Sequence, residues 1–405
     1  MNRYDTLTQV GLDVHRKFST ASLRDASGKI LARERLEHMD RSKLRERISQ
    51  WPAGTPVILE ATFGWGWLSD ELLASNMRPH LASSNKVAAW RKGRGMAKSN
   101  RTDADLLSEL WNEKPTLRRG MTHRWWEVWL APQEIRDQRE LLRHRMALVQ
   151  AQTQVKNRIH ATLHRHGTIT EFSDLFGVEG RRFLSLLSDD KTLRPSARQT
   201  LKEDLILLDA LRRLIARATR RFRMTMKRSE IGRHLMTLPG VSTILGYTLV
   251  AEIGHIERFA SSRCLLQYSL LAPQSDDTGE DRQGKPIGRR IGHAGRTTLQ
   301  WAFIQAAHSA VRRDTFFRDL FNRRTKGGKE DRGRGYITVA NRMCRIAYAV
   351  WKNQTDYQAT PPPRPGSRKY KERISSGSGP ALARIGHEPE TVQTPEPARA
   401  REATL

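Results

Sequence analysis

The sequence has very little cysteine. Of its 405 residues only Cys264 and Cys344 are thiols, and they lie far apart and outside any Cys-x-x-Cys or Cys/His spacing. This excludes a disulfide framework and a thiolate zinc site, and leaves both as plain core or surface thiols. Long apolar runs are missing as well. No segment approaches the roughly 20 apolar residues that span a bilayer, and no signal-like run opens the chain, so no membrane partner is expected and the expected location is the cytoplasm. Acid is the third shortage: 43 Asp and Glu stand against 71 Lys and Arg, a formal net charge of +28. Such an excess needs a polyanion to explain it, and nucleic acid is the leading candidate.

Hydrophobic residues, at 38%, suffice for real cores in a chain too long for one ordinary domain. Thr8 to Val14, Phe18 to Leu23 and Lys29 to Leu36 are β-prone and divided by turns, including Asp25-Ala-Ser-Gly28, which predicts a three-stranded meander. Val57-Ile58-Leu59-Glu60 reads as a buried strand, Trp65 to Ser75 as an amphipathic helix and Arg78 to Ala82 as a further strand. The resulting order, βββαβαβα, is that of an α/β RNase H-like fold. Residues 1–131 are assigned to this domain and 132–230 to a helical connector. In the connector Leu201, Leu208, Ile215 and Phe222 recur seven apart, the spacing of a helical hairpin or coiled coil that either packs on its own domain or joins subunits. Residues 231–357 read as a mainly α C-terminal domain, and 358–405 as a basic, Pro-rich disordered tail.

Three acids stand at informative places: Asp13 at the end of the first strand, Glu60 at the end of VILE, and Asp103 at the start of the apolar helix TDADLLSELW. In an RNase H-like sheet the first and fourth strands are neighbours, so Asp13 and Glu60 would share one spot that a helix-borne acid could complete. Hard divalent cations, Mg²⁺ or Mn²⁺, take such oxygen ligands together with substrate phosphate. Acids at strand ends are also common, and Asp103 equally suits a helix N-terminus.

GLDVH, ILEATFGWGW and KSNRTDADLL, followed by LMTLPGVSTILGYTLVAEIGHIERF, YSLLAPQSDDTG and GRRIGHAGRTTL, resemble the DEDD transposases of the one-ten family of insertion sequences and the related Piv-type DNA invertases. The resemblance covers nearly all of residues 5 to 355. It implies a RuvC-like N-terminal domain in which Asp13, Glu60 and Asp103 are three of four metal-binding acids. The fourth position departs from the family: where the pattern is Asp-x-x-Asp-Ala, this chain has Asn100-Arg-Thr-Asp103-Ala104. Asn offers a neutral carbonyl oxygen and no charge. Asp105 could compensate, although residues two apart do not share a helix face.

The family also carries a nucleophilic Ser in a Pro-x-x-x-x-Ser-Gly context. Here Pro273 to Gly279 sets Thr278 at that place, with Ser275 as the rival. A threonine hydroxyl can attack a phosphodiester and conserve its bond energy in a covalent link. Leu238-Pro239-Gly240-Val241 resembles the turn of a helix-hairpin-helix unit, whose glycine admits a phosphate to backbone N–H groups. Arg289, Arg290, His293 and Arg296 lie in a basic, glycine-rich stretch suited to holding phosphate. Seven tryptophans from Trp65 to Trp129 could stack on bases, though core packing is the ordinary use of such rings.

Taken together, the expectation is a DNA recombinase of a prokaryotic mobile element, working at the nucleoid on element ends and target DNA. The resemblance further implies a guide (bridge) RNA. Rejoining requires two duplexes held together, which points to a homodimer or homotetramer. The alternatives are a hydrolytic RuvC-like nuclease without a covalent intermediate, and a nucleic-acid-binding relative impaired at Asn100.

Overall fold

Three antiparallel strands open the computed structural model, which describes residues 4–97, 99–118, 121–274, 290–291 and 295–359. They are β1 (Leu7–Val14), β2 (Phe18–Asp25) and β3 (Ile30–Glu37), and the meander is as the turn residues predict. There follow α1 (Arg41–Ile48), β4 (Pro56–Glu60), α2 (Trp65–Ala74), β5 (Arg78–Ala82), α3 (Ser84–Gly93) and α4 (Asn100–Glu109). Short strands β6 (Thr116–Arg118), β7 (Met121–His123) and β8 (Glu127–Val128) complete this part.

The main sheet is mixed and six-stranded, in the order β3-β2-β1-β4-β5-β8. β1 pairs with β4 in parallel and β4 with β5 likewise, while the two-residue β8 lies antiparallel on the far edge. The central strands are buried on both faces: Val10, Leu12, Val57, Ile58 and Leu59 are wholly enclosed. The outer strand β3 instead exposes Arg33, Arg35 and Glu37, charges that discourage a foreign strand from adding at that edge. This arrangement fits an RNase H-like N-terminal domain.

Two long helices follow, α5 (Gln133–Arg165) and α7 (Pro195–Arg228), with α6 (Val178–Leu187) between them. Leu201, Leu205, Leu208 and Leu211 of α7 close against Val155, Ile159 and Leu163 of α5 in one apolar cluster. Along the predicted seven-residue stripe, Leu201, Leu208 and Phe222 are buried and Ile215 only half-buried. The stripe is therefore covered from within the chain over much of its length.

The remainder is mostly helical: α8 (Glu230–Met236), α9 (Thr243–Ile253), α10 (Ser262–Tyr268), α11 (Thr297–Arg313), α12 (Thr315–Thr325) and α13 (Arg332–Asn353). Between α10 and α11, β9 (Pro273–Gln274) pairs antiparallel with β10 (Arg290–Ile291). The helices share a large core that includes Phe222 of α7 stacked on Tyr247 at 3.7 Å between ring centroids. Cys344 is fully buried there and Cys264 is half-buried, and neither forms a disulfide. Contacts divide the chain into Met1–Tyr357 and Gln358–Leu405; the expected disordered tail from residue 360 lies outside the described residues. Among the described residues no helix is long and apolar enough to cross a membrane.

Candidate active site

The parallel register of β1 on β4 sets Gly11 beside Ile58 and Leu12 beside Leu59. One step further along both strands stand Asp13 and Glu60, which the same register makes neighbours at the carboxyl ends of the two central strands. Gly11 lies on the same face of β1 as Asp13, since alternate residues share a side. A Cβ at Gly11 would fall 2.2 Å from the Ser108 nitrogen and 2.3 Å from the Ala104 oxygen, so the backbone of α4 rests directly on this glycine. Asp103 is the residue before Ala104, in the first turn of α4, and is 9% exposed. A carboxylate there is favoured by the partial positive charge of the helix N-terminus.

Each acid with a described partner faces a cation or an imidazole. Asp13 Oδ2 lies 2.9 Å from His15 Nε2, and Arg91 Nη1 of α3 donates to Asp103 Oδ1 at 2.7 Å. Asn100 opens α4 as its first residue and is exposed, one turn before Asp103 and on the same face. Asp105 is committed elsewhere: it accepts from Ser22 Oγ at 2.7 Å and from both arms of the Arg33 guanidinium, at 3.0 Å from Nε and 2.8 Å from Nη2. The suggestion that Asp105 replaces the missing fourth acid is thereby corrected, because α4 begins at Asn100 and turns Asp105 toward β2 and β3.

The donor set suits a hard divalent cation in its chemistry, with carboxylate oxygens from adjacent strand ends and a facing helix. Among the described residues, however, no three acidic, imidazole or thiol side chains are gathered closely enough to hold an ion. His15 and Arg91 hold two of the carboxylates instead, and a cation would take their place.

On the C-terminal side, Gly240 turns the chain between α8 and α9 at φ +85°, a left-handed conformation that suits glycine. A Cβ there would lie 2.3 Å from the Ala306 oxygen of α11, so the glycine also serves the close approach of α11. Arg296 precedes α11, and its Nε donates to Tyr268 Oη at 2.9 Å. Burial would raise the Tyr268 phenol, but the charges of Arg258, Arg296 and Arg139 and the bond from Arg296 outweigh it and hold the group below its ordinary value. Thr278, Ser275, Arg289 and His293 lie outside the described residues; Arg290 pairs through its backbone with Gln274.

Residues 10–167 match the DEDD transposase model of the IS110 family, and residues 232–322 match the transposase model of the IS116/IS110/IS902 family. The chain belongs to the IS110 family of transposases. It is 23% identical over 356 residues to the transposase for insertion sequence element IS1111A of Coxiella burnetii (strain RSA 493 / Nine Mile phase I), an alignment covering 86% of this chain and 91% of the relative. The transposase is therefore a DNA-processing enzyme whose two matched stretches hold, respectively, the three acids and the Gly240 to Arg296 region. Residue reasoning overlooked Arg91 and the buried group around Tyr268. His15 stood within the quoted GLDVH motif, but Arg91 is one of many basic residues and bears no mark in sequence.

Proposed function

We propose that this transposase cuts and rejoins DNA through a carboxylate site of Asp13, Glu60 and Asp103, with Asn100 as a neutral oxygen donor, acting on a phosphodiester presented to Thr278. The observation that carries this reading is the juxtaposition of Asp13 and Glu60 at adjacent strand ends, with α4 seated on Gly11 to bring Asp103 to the same face. Mg²⁺ or Mn²⁺ held there would draw charge from the scissile phosphate and its leaving oxygen. The protein's own step is nucleophilic. The Thr278 oxygen forms a bond to phosphorus while the bond from phosphorus to the departing sugar oxygen breaks; the hydroxyl loses one proton and the sugar oxygen gains one. Reversal with a different DNA end rejoins the strand and frees Thr278. Ser275 is the other hydroxyl in the segment.

Arg296 and the neighbouring Arg289, Arg290 and His293 would neutralise phosphate, and the α8–α9 turn at Gly240 would hold flanking backbone in register. The same reading includes a guide RNA, whose negative charge the +28 chain can balance. It also includes a homodimer or homotetramer joined through the α5–α7 pair as a coiled coil.

Denaturing gels of recombination reactions on labelled DNA test the mechanism. A protein–DNA adduct is expected from the parent, and Thr278→Ala should abolish it while Ser275→Ala retains it. Absence of any adduct, with Thr278→Ala cutting as well as the parent, would establish a hydrolytic nuclease instead. Asn100, exposed and neutral at the start of α4, favours a second reading in which activity is impaired. A large gain of Mg²⁺-dependent recombination in Asn100→Asp would support it.

A further inference from the structure

A cleft of about 830 Å³ separates the carboxyl ends of β4 and β5 from the C-terminal helices. Ala61 and Ser83 line one wall, and Arg143, Arg258, Tyr268 and Arg296 line the other. Ala61 directly follows Glu60, so the cleft opens beside the carboxylate face.

Among the described residues the charge around it does not balance. Arg139 is 5% exposed, and Arg258 and Arg296 are half-buried, while the acid among them is Glu252, 1% exposed. Glu252 Oε2 stands 3.7 Å from Arg139 Nε and 3.6 Å from Arg296 Nε, beyond good hydrogen-bond distance. Arg139 spends its donors on the carbonyls of Ala251 and Glu252, both at 2.9 Å. Arg258 gives Nε to the Ile253 carbonyl at 2.9 Å and lies over the rings of Trp129 and Tyr268, while its Nη2 is buried and makes no hydrogen bond among the described residues. Arg143, on the exposed side of α5, adds a further positive charge. A buried guanidinium donor without an acceptor is costly, and several cations around one acid call for another anion.

Shape and lining narrow the choice of anion. The volume falls within the roughly 300–1,000 Å³ of ordinary small-molecule sites, which suits a nucleotide and is too small for a duplex. Trp65 and Trp129 supply aromatic walls, and arginine beside aromatic rings is the usual lining of single-strand channels. We propose that this cleft seats one nucleotide of a single nucleic-acid strand, its phosphate on Arg143, Arg258 and Arg296, delivering that strand to the carboxylates. The proposal rests on the nucleic-acid reading above and names a binding site within it.

The full-length chain is titrated with fluorescein-labelled oligothymidylate and, separately, oligouridylate, each of about 20 nucleotides, across a salt series. Each phosphate contact contributes about 0.7 to the slope of log affinity against log salt for single strands. Arg143→Ala, a surface change expected to leave the fold intact, should lower the slope by about 0.7 and the affinity roughly fivefold at about 0.1 M salt. Adding Arg258→Met, at the same phosphate, should weaken binding further but leave the slope change near about 0.7, because only one phosphate contact is lost. Lys43→Ala removes the same charge from exposed α1 and should change neither. Loss with both probes supports a backbone seat open to either strand; loss with the DNA or the RNA probe alone supports the seat and identifies its strand. Parent-like affinity and slope for Arg143→Ala with both probes overturns it. Asp13→Ala recombination is assayed in parallel. If the seat variants bind normally while Asp13→Ala abolishes recombination, only the seat fails; if they lose binding while Asp13→Ala recombines normally, only the catalytic reading fails.

Discussion

Gly11 is the residue on which the carboxylate face turns, and Gly11→Ala probes it most directly. The added Cβ would meet the Ser108 nitrogen at 2.2 Å, the Ala104 oxygen at 2.3 Å and the Leu107 carbonyl carbon at 2.8 Å. All three are backbone atoms of α4, so no side chain can rotate away. Ordinary contact begins near 3.5 Å, so the helix must retreat by roughly 1 Å or more. Overpacking of this kind costs about 3 kcal/mol at the upper end of its usual range, equivalent to a fall in melting temperature of about 4 °C in a chain of this size. The retreat carries Asp103 away from Asp13 and Glu60. A 1 Å misplacement of catalytic groups costs about 100-fold in rate, so recombination should fall further than the folded fraction does. Circular dichroism melts paired with a plasmid recombination assay measure both effects. Gly93→Ala is the control, because a Cβ there meets nothing within 4 Å. If Gly11→Ala melts within about 1 °C of the parent and recombines within about twofold of it, α4 does not rest on β1 as described, and the proposed site of Asp13, Glu60 and Asp103 loses its support.

Two further outcomes follow from other partners. Asp105→Ala removes the acceptor for Ser22 and Arg33 near the surface, so it should cost about 1 kcal/mol, about 1 °C in melting, and leave the Mg²⁺ stabilisation expected of the proposed site unchanged; loss of that stabilisation would return Asp105 to the metal site. Tyr268 ionises below the ordinary phenol value of 10.0 when folded. Its phenolate therefore stabilises the native chain fully above about pH 10, and the stabilisation is lost as pH falls through the folded value. Melting of the parent relative to Tyr268→Phe should accordingly improve as pH rises toward about 10, and a flat difference would refute the arginine effect.

Much of the N-terminal architecture is legible in sequence because its signals are local. Alternating β-branched runs and the Asp25 to Gly28 turn mark the meander, and the apolar run before Glu60 marks a strand buried on both faces. α1 is fainter, since only Leu44 and Ile48 of its eight residues are buried. The two-residue β8 carries no periodicity at all, and only its pairing with Leu81 and Ala82 makes it a strand. The positions of Asp13, Glu60 and Asp103 follow from strand and helix ends, whereas their partners do not. Arg91 reaches Asp103 across two helices, and Arg139 joins residues more than one hundred positions away through the Ala251 and Glu252 carbonyls. Periodicity reports which face of an element is buried and is silent on which distant element covers it.

The pairing of Arg91 with Asp103 bears on how Asn100 affects the proposed site. Asp13 and Glu60 stand side by side at adjacent strand ends, and like charges so placed repel one another. A divalent cation would relieve that repulsion, but it must displace a guanidinium already bound at 2.7 Å and an imidazole at 2.9 Å. A fourth acid at position 100 would sit one turn before Asp103 on the same face of α4, adding charge that draws the cation and offering Arg91 a second carboxylate. At the proposed site, Asn there would tilt the competition toward Arg91, because the cation would lack a charged ligand while the guanidinium would lose nothing. The same exchange gives Arg91 something to do once displaced: freed from Asp103, it lies beside the face to which the scissile phosphate would be brought, where a guanidinium forks onto phosphate oxygens as readily as onto a carboxylate.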